Sequence, residues 1–346
     1  MLKKFEKYAV RGIGIFFLLL LLYWTGIFIF FQVKKESIRK QLSEQVSEVV
    51  KGEFTIRDLG VNFFSTFPNI ALSMKDVLLK DSAWKTHQID FLKAKKILFR
   101  INPFSLIGGN VRISKIVVED GVVQAFTNSQ GYTNEYLLSP KSKSNGKSKN
   151  NKKGFHVEEI TLKDVRVIRS DEIKKKLFDI SFRKLKCELN DITKGYLFEM
   201  KMDAAVSQMA FNTNKGSYLQ GKNLSGEFDL RFDTTTKTLH FEKIRLNADR
   251  QRLILSGNFQ FGTEKKFTLQ VNGDKLQYSK GIALLPKKIT DKLALYDINV
   301  PMNVTADIEG GLVFGAATKV KVQSTVNNAT VKTDAGDFTN SDFHVE

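Results

Sequence analysis

The sequence predicts a mainly β protein: an elongated, twisted antiparallel sheet, shaped as a groove or open sandwich, with few short helices and one transmembrane helix at its N-terminus. Three observations predict it. From Phe54 onward, apolar residues recur with period 2. Gly12–Val33 runs for 22 residues without a charged side chain. A short apolar and acidic motif also returns every 44 residues.

Residues 1–11 form a short basic segment holding Lys3, Lys4, Lys7 and Arg11. Residues 12–33 (GIGIFFLLLLLYWTGIFIFFQV) read as a transmembrane anchor. Roughly 20 apolar residues at about 1.5 Å each span the ~30 Å bilayer core. A secretory signal core is shorter, about 7–15 residues, and ends in small residues at a cleavage site. Here the apolar run continues through Phe31 without such a site, so the anchor is expected to stay uncleaved. Lys34, Lys35, Arg39 and Lys40 follow it, and this second basic flank leaves orientation open by charge bias alone.

Residues 34–52 are expected to form a juxtamembrane amphipathic helix, with Ile38, Leu42, Val46, Val49 and Val50 at helical spacing and Gly52 as its stop. Its apolar stripe is narrow, and Glu44 and Glu48 disfavour anionic lipid, so packing on the following domain is favoured over lying in the lipid interface.

Residues 53–138 form a first β region and 155–346 a second. Phe198, Met200, Met202, Ala204 and Val206 alternate with Glu199, Lys201, Asp203 and Ala205. Phe228, Leu230 and Phe232 do the same, and a turn at Thr234–Lys237 leads back into Leu239 and Phe241 as a hairpin. Phe267, Leu269 and Val271 repeat the scheme, as do Val304, Ala306 and Ile308, then Val320, Val322, Ser324 and Val326. Such alternation marks antiparallel strands with one apolar and one wet face. Two helical interruptions are expected, a turn at Pro103–Ile107 capped by Asn102 and a segment around Lys280–Leu295 broken near Pro286. Between the β regions, residues 139–154 lack apolar periodicity and read as a lysine-rich flexible loop, with anionic head groups as a candidate contact.

The internal repeat is aliphatic-x-aliphatic-(Lys/Glu)-Asp-x-x-aliphatic, at Leu72–Leu79, Ile116–Val123 and Ile160–Val167. Starts 44 residues apart suggest stacked supersecondary units. The acidic residue has a local reading as well, a bulge or strand-end turn, clearest at Asp120-Gly121. The chain's last ten residues, DFTNSDFHVE, read as an extended strand simply stopping, as in a fragment of a longer protein.

Composition excludes several functions. The formal charge is +17, but residues 1–40 hold eight basic and two acidic residues, and Lys141–Lys153 adds six lysines without an acid. A balanced body with two local basic clusters is a poor nucleic-acid footprint, so no nucleic-acid partner is expected. Cys187 is the only cysteine, which allows no internal disulfide and no cysteine-based metal site. His87, His156, His240 and His344 are scattered singly, outside any metal or general-base motif. No nucleophile elbow or P-loop appears, and Gly12-Ile-Gly14 falls inside the anchor. Sequons at Asn223, Asn303 and Asn328 carry little weight in a chain rich in Asn, Ser and Thr. The expectation is a protein that is not an enzyme, with no catalytic, cofactor-binding or metal-binding residues and no cofactor.

An apolar sheet face must be covered by something. In a closed sandwich a second sheet covers it. In an open sheet it forms a trough that shelters acyl chains, and the 28 phenylalanines and the Met200/Met202 pair suit either case. The candidate lining residues are Phe198, Met200, Met202, Phe228, Leu230, Phe232, Phe267, Leu269 and Val271.

The order of elements resembles the AsmA family (AsmA/TamB-like envelope proteins), in its N-terminal portion. An N-terminal span and juxtamembrane helix precede Phe54-Thr-Ile-Arg-Asp-Leu59 and Thr66-Phe-Pro-Asn-Ile-Ala-Leu-Ser-Met-Lys-Asp-Val77, similar to the family's opening strands. Leu92–Ile97, Asn102–Gly109 and Ile113–Gly121 are similar to its next block, closed by Gly131-Tyr-Thr-Asn134, with Ser129-Gln130 where an acidic residue is the family pattern. Gly281–Pro286 and the strand ending at Glu309-Gly310 resemble its helix-then-strand element. The resemblance implies a single-pass bacterial inner-membrane protein with its body in the periplasm. It also implies a role in outer-membrane biogenesis, through binding or conducting phospholipid along a β groove. Membrane lipid is the expected partner, with other envelope assembly proteins as candidates. The alternative is an assembly factor that binds no lipid and supports outer-membrane protein insertion.

Overall fold

The computed structural model describes residues 25–26, 29, 32–44, 46–48, 50–62, 70–101, 112–138, 156–313 and 315–345. The expected span at 12–33 falls almost wholly outside them, as do the turn at 103–107 and the loop at 139–154. Among the described residues no helix is long and apolar enough to cross a membrane.

The described strands form one sheet of 15. They are β1 (Glu53–Asn62), β2 (Ile70–Lys80), β3 (Leu92–Ile101), β4 (Arg112–Thr127), β5 (His156–Asp171), β6 (Lys176–Ile192), β7 (Gly195–Ala210), β8 (Lys222–Asp233), β9 (Thr238–Ala248), β10 (Gln251–Gln260), β11 (Lys266–Leu276), β12 (Asp297–Ile298), β13 (Met302–Gly311), β14 (Thr318–Thr333) and β15 (Gly336–Val345). Nearly every strand pairs with its sequence neighbour. At about 4.8 Å per strand the sheet extends for roughly 60 Å. All described strands lie in this one sheet, whose order runs from β1 to β12 and β15 without pairing back on β1, so the sheet is open.

One pair departs from the expected all-antiparallel arrangement. β4 and β5 run parallel, with Ile116 beside Ile160 and Val123 beside Val167. Parallel neighbours need a crossover of a dozen residues or more, and residues 128–155 supply it. That pairing offset is 44 residues, so the second and third copies of the sequence repeat lie side by side in register.

The repeat has a backbone cause. Asp76, Asp120 and Asp164 adopt left-handed φ values of 47°, 51° and 53°. Each falls where the flanking register skips one pair, between Lys75–Lys96 and Val77–Ala94 for Asp76, and between Glu119–Lys163 and Gly121–Val165 for the other two. Aspartate tolerates this conformation because its short polar side chain bonds locally. A left-handed residue reverses strand parity. Leu72 and Met74 therefore share a face with Val77 and Leu79, and all four belong to one core cluster. The ion pairs Arg57–Asp76 and Lys95–Asp120 run along the same crease. Farther on, left-handed Lys243, Lys275 and Asn328 sit at register shifts and repeat the device.

Residues 32–44 and 46–48 are helical, and Ile38, Leu42, Val46 and Val50 pack on β1 to β4. Packing thus wins over the lipid interface for this stripe. Arg39 Nη1 donates to the Ile56 carbonyl at 2.9 Å, and Ser47 Oγ accepts from the Phe54 amide at 2.8 Å. The helix ends differently from the expected glycine stop. Lys51 takes the left-handed position (φ 49°), with the Gly52 amide bonded to the Ser47 carbonyl at 3.1 Å. Gly52 is required for closeness instead, since a Cβ there would lie 2.1 Å from the Lys80 carbonyl oxygen.

The expected break near Pro286 is present, between the short helices Tyr278–Ile282 and Lys287–Leu293. The hairpin at Thr234–Lys237 is present as well, held by Asp233 Oδ1 accepting from the Thr235 and Thr236 amides.

Candidate functional site

The candidate site is the apolar face of the sheet, where residues opposite one another on paired strands point to the same side. One row runs through Val61, Leu72, Phe99, Ile116, Ile160, Cys187, Met200 and Phe228 on eight successive strands. The next row runs through Leu59, Met74, Ile97, Val118, Leu162, Leu185 and Met202. The apolar face is therefore continuous from β1 onward and does not stop at the lysine-rich crossover.

The structure brings the nine sequence-derived lining residues onto this face. Phe198 pairs with Leu230, Met200 with Phe228 and Met202 with Gly226. Leu230 continues to Phe241 and Phe232 to Leu239 on β9. Those lead to Gly257 and Phe259 on β10, opposite Leu269 and Phe267, while Leu255 faces Val271. Phe241, Phe259 and Phe267 stack across three strands, with centroids 5.9 and 5.6 Å apart. The face continues through Ile308 and Ala306 to Val320 and Val322.

Cover is uneven along it. Over β1 to β4 the N-terminal helix closes the face, and Leu59 and Val77 are fully buried there. On β7 to β11, one end of the strands is closed by Leu276 and Leu284 beside the 278–293 segment, which buries Val206, Leu224, Leu246 and Ala248. Met202, Phe228 and Val271 pack against that closed end. The other six candidates lie outside it, and all nine are partly exposed. Farther out on the same face Ile160 is 42% exposed and Val320 59%.

The opposite face carries charge. Lys96, Glu119 and Lys163 form a line across β3, β4 and β5. The hydrogen bond from Lys163, with Lys96 adding to it and burial opposing it, holds the Glu119 carboxyl below its usual range. Arg183 clamps Asp203, lowering its pKa, and reaches Asn223 at 3.0 Å. Cys187 sits among the apolar residues, where burial pushes its thiol up. A raised thiol pKa disfavours the thiolate, the reactive form of cysteine.

Among the described residues no three His, Cys, Asp or Glu side chains are grouped to hold a metal ion. His87 Nε2 bonds Asp81 at 2.8 Å while its Nδ1 accepts from the Ile89 amide, which fixes the loop between β2 and β3. The arrangement of the described residues can shelter long apolar groups.

Sequence reasoning read β9, β13 and β14 as strands with one apolar face but named no lining residue on them, and it missed the contributions of β5, β6 and β10. The signal was present in the same alternation, but parity reversals at Asp164 and Lys243 disguise which residues fall on one side. A comparison with known protein families matches residues 2–345 to one described as the AsmA family. No curated protein matches the chain.

Proposed function

The chain belongs to the AsmA family, and from that premise we propose that it is a non-enzymatic envelope protein that binds or conducts phospholipid along its apolar face. In this reading residues 12–33 anchor it in the bacterial inner membrane, the body lies in the periplasm, and its work belongs to outer-membrane biogenesis. The observation that carries the proposal is the uncovered stretch of face around Phe198, Met200, Leu230, Phe232, Phe267 and Leu269.

Dimensions support it. From Tyr196 to Met200 the uncovered face measures about 13 Å along the strand, and the partly covered Met202 extends it to about 20 Å, against about 15 Å for the chains of one leaflet, half of the ~30 Å core. Across the strands it continues for about 40 Å from β5 to β14. Acyl chains would lie on Phe, Met, Val and Leu while head groups stay in water. No covalent step is involved, and sliding along a face of uniform apolarity needs no fixed site.

Site-specific photocrosslinking in cells tests this. A photoreactive residue at 200, 230 or 269 should give phospholipid adducts, and one at 201, 229 or 270, on the opposite face, should not. Adducts at both sets, or at neither, would refute a one-sided lipid track. The second of those outcomes would favour an assembly factor that carries no lipid.

A further inference from the structure

A second surface stands at the sheet edge formed by the β5–β6, β7–β8 and β11–β12 connections. Three segments far apart in sequence meet there. The Thr213 amide donates to the Lys175 carbonyl at 2.7 Å, and the Leu219 amide to the Leu284 carbonyl at 2.8 Å. Lys288 Nζ donates to the Asn214 carbonyl at 3.0 Å. Phe178 meets Phe211 edge-on at 5.3 Å, and Phe211 meets Tyr218 at 6.1 Å.

Two features of this edge are unusual together. Large apolar side chains project into solvent: Phe211 is 57% exposed, Ile173 48% and Ile289 42%. Around them, residues 171–176, 211–218 and 278–297 carry eight lysines against four acidic residues. Of these lysines only Lys174 and Lys287 are neutralised by an acid among the described residues. No single segment is conspicuous in the sequence. The cluster exists only because the fold assembles it.

We propose that this edge is a membrane-docking surface for an anionic bilayer, distinct from both the anchor and the lipid-binding face. Exposed apolar tips ringed by lysines match an anionic bilayer surface, where the tips enter the head-group region and the lysines meet the lipid charge. A protein partner would have to supply an acidic surface with apolar pockets, and it becomes an outcome of the test. The inference does not depend on lipid occupying the trough.

The full chain is reconstituted through its N-terminus in nanodiscs of phosphatidylcholine, immobilised, and offered fluorescent vesicles with or without phosphatidylglycerol. The wild type should capture only the anionic vesicles, and less so as salt rises. The triple variant Lys175→Gln/Lys215→Gln/Lys292→Gln should weaken capture on the order of a hundredfold. Phe211→Ser/Ile289→Ser should weaken it while leaving the melting temperature in place. A variant with Lys141, Lys143, Lys147 and Lys149 changed to Gln serves as comparator. Equal capture of neutral vesicles, no capture by the wild type, or loss only in the comparator would overturn the proposal. The last would assign the contact to the 139–154 loop, and the second would leave an acidic protein as the partner class.

Discussion

An aspartate at two positions of the same face separates an open face from a covered one. Leu230 is partly exposed, opposite Phe198 and Phe241, beyond the reach of the 278–293 cover. Replacing it with Asp forfeits only part of a leucine's burial, about 1 kcal/mol, because the new carboxylate stays in water. Val206, on the same strand face as Phe198, is 1% exposed beneath the cover. There Val206→Asp loses about 2 kcal/mol of burial and adds several more for an unpaired buried charge. Against a typical domain stability of about 5–15 kcal/mol, the first change should lower the melting temperature by roughly 2–4 °C, and the second should unfold the chain. The assay is a thermal melt of each full-length variant in the same detergent, followed by extraction of bound lipid. Leu230→Asp should melt close to wild type yet carry less phospholipid. If Leu230→Asp unfolds as readily as Val206→Asp, an unseen layer covers the face and the account of an open trough fails.

Other expectations follow from the backbone and the charges. Asp164→Gly should fold with nearly wild-type stability, whereas Asp164→Val should cost about 1–2 kcal/mol because a β-branched residue resists the left-handed conformation; equal urea midpoints for the two would refute the crease. Glu119 has a folded pKa below its ordinary 4.5, so its stabilisation is present above pH 4.5 and disappears as pH falls through the lowered folded value. Glu119→Gln should therefore reduce the loss of stability between neutral and acidic pH, and an unchanged pH profile would show that the Lys96–Glu119–Lys163 line contributes nothing. Cys187, between Ile160 and Met200 on the apolar face, should alkylate several-fold more slowly in lipid-loaded than in delipidated protein; identical rates would place the lipid elsewhere.

Much of the fold was legible because period-2 alternation is a direct image of a sheet with one wet face. The strands at 198–206, 228–232, 267–271, 304–308 and 320–326, the hairpin at 234–237 and the break at Pro286 all follow from local pattern and turn chemistry. The 44-residue repeat was legible as a pattern but not as a geometry. Its aliphatic positions switch parity across Asp76, Asp120 and Asp164, and only the left-handed φ values explain the switch. The parallel β4–β5 pair was hidden because register across a long crossover has no local signal, although the repeat offset of 44 equals the pairing offset. At the helix stop, Gly52 was legible as the end of the helix, but Lys51 takes the left-handed position, and sequence does not reveal that Gly52 is needed for its close approach to Lys80. The nine lining residues were legible as one face of their own strands. Whether anything covered that face depends on the 278–293 segment and the N-terminal helix, whose docking places are set by tertiary packing.

The most direct measurement is native mass spectrometry of the full chain extracted gently from cells, with lipid analysis of the same sample. The account expects phospholipid bound at a defined stoichiometry, and a reduced amount in the Leu230→Asp variant. A stably folded, lipid-free wild-type chain would contradict it and leave the assembly-factor reading in its place.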